Sequence, residues 1–108
     1  MKFVLLAFLA GCAGSTPLAH FEVTKSESDE SCSTLADYCL RVTCTVKNDS
    51  PIPGQAVVDL QLLNRKGEVK HTQTERVELG PGDTKTVKHD FTEAKLLGKE
   101  SKYACVIR

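Results

Sequence analysis

Between residues 38 and 47 the side chains alternate without a break. Tyr38, Leu40, Val42, Cys44 and Val46 fall on one side, and Cys39, Arg41, Thr43, Thr45 and Lys47 on the other. Successive residues of an extended chain project to opposite faces, so a two-residue period marks a strand with one face buried and one wet. A helix, with its period of 3.6, would scatter the same residues around its circumference. The segment therefore predicts a half-buried strand with Cys44 facing the interior. A lone strand leaves backbone donors and acceptors unpaired along both edges, so it requires neighbouring strands and a second layer to cover its apolar face.

The neighbours are legible from turn chemistry. Residues 21–24 (Phe-Glu-Val-Thr) alternate as a short first strand, and residues 26–31 follow as a loop by composition. Its carboxylates, Glu27, Asp29 and Glu30, lack the glycine and the closing Glu of a calcium loop, which favours a solvated loop. After residue 47 the run Asn48-Asp49-Ser50-Pro51-Ile52-Pro53-Gly54 is strong turn sequence. Residues 55–63 restart an extended run with Val58, Leu60 and Leu62 on one side. Asn64-Arg65-Lys66-Gly67 then turns the chain into residues 68–79, a long polar strand suited to a sheet edge. Gly80-Pro81-Gly82-Asp83 is a further turn. Residues 84–91 alternate again, with Lys85, Val87, His89 and Phe91 together and Lys88 outward. Residues 92–98 predict one helical turn, with Thr92 as N-cap and Gly98 as its stop. Residues 102–107 close the chain with Tyr103, Cys105 and Ile107 on one face. Six or seven short strands separated by turns predict an all-β, immunoglobulin-like two-sheet sandwich.

Such a domain has little to bury. Four Phe, two Tyr and no Trp make a thin core, in the size range where covalent staples matter. The five cysteines are Cys12, Cys32, Cys39, Cys44 and Cys105; with Cys12 set aside, the even remainder suits two disulfides in an oxidising compartment. Cys39 and Cys44 occupy opposite faces of one strand and do not face each other for pairing. The expected bridges are Cys44 with Cys105, across the core, and Cys32 with Cys39, closing residues 33–38. No Cys-x-x-Cys and no His pair at ligand spacing supports zinc as the rival use of these thiols.

The residues before Cys12 read as a leader. Met1-Lys2 is a minimal positive start, and residues 3–10 form an apolar run too short to span a bilayer. Leu9-Ala10-Gly11-Cys12 resembles the lipobox of bacterial lipoproteins, and that resemblance implies a signal peptide over residues 1–11 and an acylated Cys12 at the mature N-terminus. Residues 12–19 would then be a tether and 20–108 the folded domain. By the same analogy, Ala13 after the cysteine implies the outer membrane where the cell has one. The other reading is an ordinary secretory signal cut after Ala13, Gly14 or Ala19, which a eukaryotic secreted protein would also carry. Asn48-Asp49-Ser50 is formally a glycosylation sequon, although Pro51 directly after it is unfavourable.

Val42-Thr43-Cys44-Thr45-Val46 and Tyr103-Ala104-Cys105-Val106 are similar to the two cysteine strands of immunoglobulin domains, including the Tyr two residues before the second Cys. A closer resemblance is to the FxLYD-type small immunoglobulin-like domains of bacterial envelope proteins. It is carried by Val46-Lys47-Asn48, by Leu63-Asn64-Arg65-Lys66-Gly67 and by Val77-Glu78-Leu79-Gly80-Pro81-Gly82-Asp83, and it covers roughly residues 40–107. The resemblance implies a binding or spacer module and carries no active-site residues.

The residues themselves offer little chemistry. His20, His71 and His89 are dispersed, and His89-Asp90 are strand neighbours that point to opposite faces, so the pair is not a base with its orienter. No Ser stands in a nucleophile elbow, and Gly80-Pro81-Gly82 lacks the following helix of a phosphate loop. Fourteen basic residues balance fourteen acidic ones, so no overall field favours nucleic acid. The sequence thus predicts no enzyme, cofactor or metal. It predicts an extracytoplasmic binding or assembly accessory, with a lipid anchor and a protein partner met by the 68–79 edge or by the loops at one end. The alternative is a secreted inhibitor or effector acting on a hydrolase through the loops at 48–54 and 80–83.

Overall fold

The computed structural model describes residues 18–108. Among them the chain forms β1 (Phe21–Asp29), β2 (Leu40–Asn48), β3 (Gly54–Leu63), β4 (Val69–Leu79), β5 (Thr84–Phe91) and β6 (Lys102–Ile107). A single helical turn, α1 (Ala94–Leu97), separates the last two strands. These make two antiparallel three-stranded sheets, β1-β2-β5 and β4-β3-β6. The fold is an all-β, immunoglobulin-like two-sheet sandwich carrying two disulfides.

The central strands supply the core. Leu40, Val42, Cys44, Val46 and Asn48 of β2 face inward, against Ala56, Val58, Leu60 and Leu62 of β3. Val77 and Leu79 of β4 and Phe91 at the end of β5 complete the layer, and Phe91 is the largest fully buried side chain. Tyr103, Cys105 and Ile107 pack against this cluster from β6. Tyr38 packs there too, although its strand begins two residues later, at Leu40.

Two local expectations are corrected. The segment assigned to a loop from residue 26 continues β1 as far as Asp29, paired through Ser26↔Cys44, Glu27↔Thr43, Ser28↔Val42 and Asp29↔Arg41. A register shift between Val23 and Lys25 precedes this stretch, and the strand is exposed there, so backbone pairing rather than side-chain burial holds it. The helical turn is preceded by Glu93, not Thr92, and no side chain caps it. Lys85 shares the side of Val87, His89 and Phe91 as expected, opposite Val46, and burial on that side begins at Val87.

Turn residues behave as their chemistry requires. Pro81 and Gly82 occupy the centre of a turn closed by Asp83 N–H donating to Gly80 O at 3.0 Å, and Gly82 takes φ 75°. That is the type II arrangement, in which the third position needs a positive φ and so favours glycine.

Register divides the sandwich into two poles. The chain enters at one of them, where Asp49 N–H donates to His20 O (2.8 Å) and Asn48 N–H to Asp83 O (2.9 Å). This entry pole therefore gathers the start of β1, the 49–53 turn and the 80–83 turn. The opposite pole gathers the 30–39 loop, the 64–68 turn and α1, as the pairs Leu40↔Phe91, Leu63↔Val69 and Leu63↔Lys102 require.

Candidate functional site

The far pole carries the feature most suited to contact. Cys32 and Cys39 are bridged with Cα atoms 5.5 Å apart, closing the loop between the end of β1 and the start of β2. Inside the ring, Ser33 Oγ accepts from Cys39 N–H (2.7 Å) and donates to Cys39 O (2.9 Å). Thr34 N–H donates to Asp37 O (2.9 Å), and Asp37 N–H returns a bond to Thr34 Oγ1 (3.1 Å). A loop with its ends joined and its interior hydrogen-bonded has little conformational entropy left to lose on binding. At its tip Leu35 is fully exposed. Beside it lies a shallow hollow of about 260 Å³ whose lining includes Glu30, Ser33, Asp37, Tyr38 and Lys99. Leu96 of α1 (77% exposed) and Val69 at the start of β4 (49%) lie at the same pole. Single exposed apolar side chains are ordinary on a protein surface; these three share one pole of the sandwich.

The flanks are polar and ordered. On the outer face of the β1-β2-β5 sheet, Arg41 forms a two-point bond to Asp90, Nε to Oδ1 at 2.7 Å and Nη2 to Oδ2 at 3.1 Å, while Nη1 reaches Ser31 Oγ at 3.1 Å. The Arg41 guanidinium holds Asp90 below the ordinary carboxylate range. Hydrogen bonds from the Ser31 hydroxyl and amide do the same for Asp29. On the other outer face Asp59 is buried beneath Arg108, which donates from Nε at 2.9 Å and Nη2 at 3.2 Å, and Thr74 Oγ1 donates at 2.7 Å. The Arg108 bond first, and the Thr74 bond second, lower the Asp59 pKa.

Cys44 and Cys105 are bridged between the sheets with Cα atoms 6.0 Å apart, so both pairs of thiols among the described residues are committed. Two disulfides mark a chain suited to an oxidising, extracytoplasmic compartment. Cys12 and the leader lie outside the described residues, and no helix among those described is long and apolar enough to cross a membrane. His89 stacks edge-on against Phe91 with ring centroids 4.6 Å apart, while Asp90 is turned outward to Arg41, so the two do not act together. His71 Nδ1 lies 3.8 Å from Glu93. Asn48 of the formal sequon is fully buried with its amide nitrogen donating to Ile52 O and Leu79 O.

Strand register brings together one further grouping. His20, Glu22 and Asp49 bring their ligand atoms within 4.8 Å of one another at the entry pole. The clue available in the sequence is the two-residue spacing of His20 and Glu22, which puts them on one face of a strand; that Asp49 joins them depends on the register of β1 against β2.

No protein-family model matches the chain, and no curated protein matches it. Solved structures do. A β-glucosidase from Listeria innocua, solved in complex with isofagomine, aligns at 23% identity with TM-score 0.53 over 82% of this chain. The β-glucosidase EmGH1 from Erythrobacter marinus aligns at 16% identity with TM-score 0.56 over the same share. The chain spans only 16% and 15% of those proteins. At such identities the likeness concerns the fold alone.

Proposed function

We propose that the chain is a non-catalytic binding or assembly module of the bacterial cell envelope, resembling FxLYD-type domains, held to a membrane by acylated Cys12 and presenting its far pole to a protein partner. The observation that carries this reading is the separation of the poles. The polypeptide enters beside Asp49 and Asp83, while the stapled loop with Leu35 closes the other end of the strands. A tether at residues 12–19 therefore turns the Leu35 loop away from the membrane and the 49–53 and 80–83 turns toward it. The polar 69–79 edge fits the same reading, since charged side chains such as Lys70, Glu75 and Arg76 discourage indiscriminate strand pairing. The secreted-inhibitor alternative relies on the turns at 48–54 and 80–83, which in a tethered chain face the anchor.

Two measurements test it. Intact mass spectrometry of the native protein should give a chain that begins at Cys12 with added acyl mass; an N-terminus beyond Cys12 removes the anchor. Photo-crosslinking amino acids at positions 35 and 81 then compare the poles. Envelope proteins should be captured from position 35. Capture from position 81 alone, or stoichiometric inhibition of a lytic hydrolase that a crosslinker at 81 traps, replaces the proposal with the inhibitor reading.

A further inference from the structure

We propose that His20, Glu22 and Asp49 form a binding site for a divalent transition ion of the zinc class. The three come together for a backbone reason. His20 and Glu22 are two residues apart in extended chain and so share a face, while the pair Phe21↔Asn48 places Asp49 directly across from His20. Asp49 N–H donates to His20 O at 2.8 Å, continuing the ladder one step past the end of the paired strands. Between the ligands, Phe21 packs against the core and Asn48 is fully buried, so the backbone under the site is anchored on both strands. The scaffold is set by folding, and only exposed side-chain torsions have to adjust.

The donor set selects the ion. One imidazole nitrogen and two carboxylate oxygens, with ligand atoms all within 4.8 Å of one another, close around a cation at bond lengths of about 2.0–2.2 Å by small rotations. Three protein ligands leave a fourth position for water, as zinc accepts. Calcium, which takes about 6–8 oxygens, is poorly served by three side chains of which one offers nitrogen. The local charge is mixed, because Lys47 stands opposite Glu22 in register and opposes a second positive charge. Removing that ammonium should tighten the site.

The position gives the ion a mechanical role. His20 is the last residue before β1, and Asp49 is the first after β2. An ion shared by the two fixes the entering chain to the 49–53 turn, and because it binds the folded arrangement it stabilises that arrangement by mass action. This inference stands apart from the partner-binding reading, since it concerns the other pole.

Isothermal titration with zinc chloride, alongside thermal unfolding, tests it on the full chain. Wild type should bind one zinc per chain and unfold at higher temperature when zinc is present, with a backbone amide NMR spectrum perturbed at His20, Glu22 and Asp49. His20→Ala and Asp49→Ala should each weaken zinc at least about tenfold, with spectra otherwise unchanged. Lys47→Gln should bind more tightly, and His71→Ala, which removes the partner of Glu93, should match wild type. Zinc affinity that survives His20→Ala, affinity lost in His71→Ala, or an equal response to calcium chloride overturns the proposal.

Discussion

The amide nitrogen of Asn48 donates to the carbonyl of Leu79 at 3.0 Å, joining the last residue of β2 in one sheet to the last residue of β4 in the other. The same nitrogen reaches Ile52 O at 2.8 Å, and Asn48 Oδ1 accepts from the Ser50 amide at 3.1 Å and from its hydroxyl. Through its own backbone Asn48 also binds Asp83 O and Gly82 N–H. A fully buried polar side chain is tolerable because each of these groups is partnered. Asn48→Ala removes the amide bond to Leu79 O and leaves Ile52 O only the Ser50 hydroxyl, and should cost about 1–3 kcal/mol. Urea unfolding measures this; a loss under about 0.5 kcal/mol, the scatter expected of a surface change, would mean that water replaces the amide.

The two bridges should differ in weight. Cys44–Cys105 closes a span of 61 residues and Cys32–Cys39 one of 7. Loop-closure entropy assigns about 4 kcal/mol to the first and about 2 kcal/mol to the second. Paired alanine substitution of each, followed by denaturant unfolding, should give that order. Loss of the short bridge should also raise hydrogen exchange in the 33–38 loop while leaving β2 and β3 protected.

Gly54 sits where the entering segment packs against the start of β3. A β-carbon there would lie 2.7 Å from Ala19 Cβ and 2.9 Å from Phe21 Cζ. Gly54→Ala must therefore displace Ala19 and the Phe21 ring, at a cost of about 1–3 kcal/mol. Amide exchange should show the loosening concentrated at the start of β1. A uniform change across both sheets would contradict that localisation.

Acid should act through Asp59. Arg108 and Thr74 hold its folded pKa below the unfolded value, so its contribution is complete above about pH 4 and is lost as pH falls through the lower folded value. Asp59→Asn should be less stable than wild type at neutral pH, with the difference shrinking below about pH 4. Unfolding free energies measured from pH 2 to pH 7 check the sign, and a gap that widens in acid would refute the assignment.

Much of the sandwich was readable because its inner strands obey one rule. β2 alternates from Leu40 to Asn48, and β3 turns Ala56, Val58, Leu60 and Leu62 inward, so hydrophobic period and burial coincide. The second half of β1 escaped because Ser26 to Asp29 is exposed and owes its place to main-chain bonds that composition does not encode. The far pole escaped for a different reason. Leu35 is an unremarkable residue in the sequence, and its prominence comes from the bridge and the Ser33 bonds that hold the loop outward. Likewise His20 and Asp49 meet only through register, a long-range property of the pairing of β1 with β2.

The burial of Asn48 bears on how this protein is to be manufactured. Its amide nitrogen is the atom an oligosaccharyltransferase would modify, and it donates one of the hydrogen bonds that link the two sheets. In a eukaryotic secretory host, sugar attachment and native folding would compete for one atom, and a chain glycosylated first could not bury that side chain in its native place. Periplasmic production in bacteria lacking this transferase avoids the competition. So does Ser50→Ala, which removes the sequon; it gives up the hydroxyl bond to Asn48 but keeps the backbone amide bond.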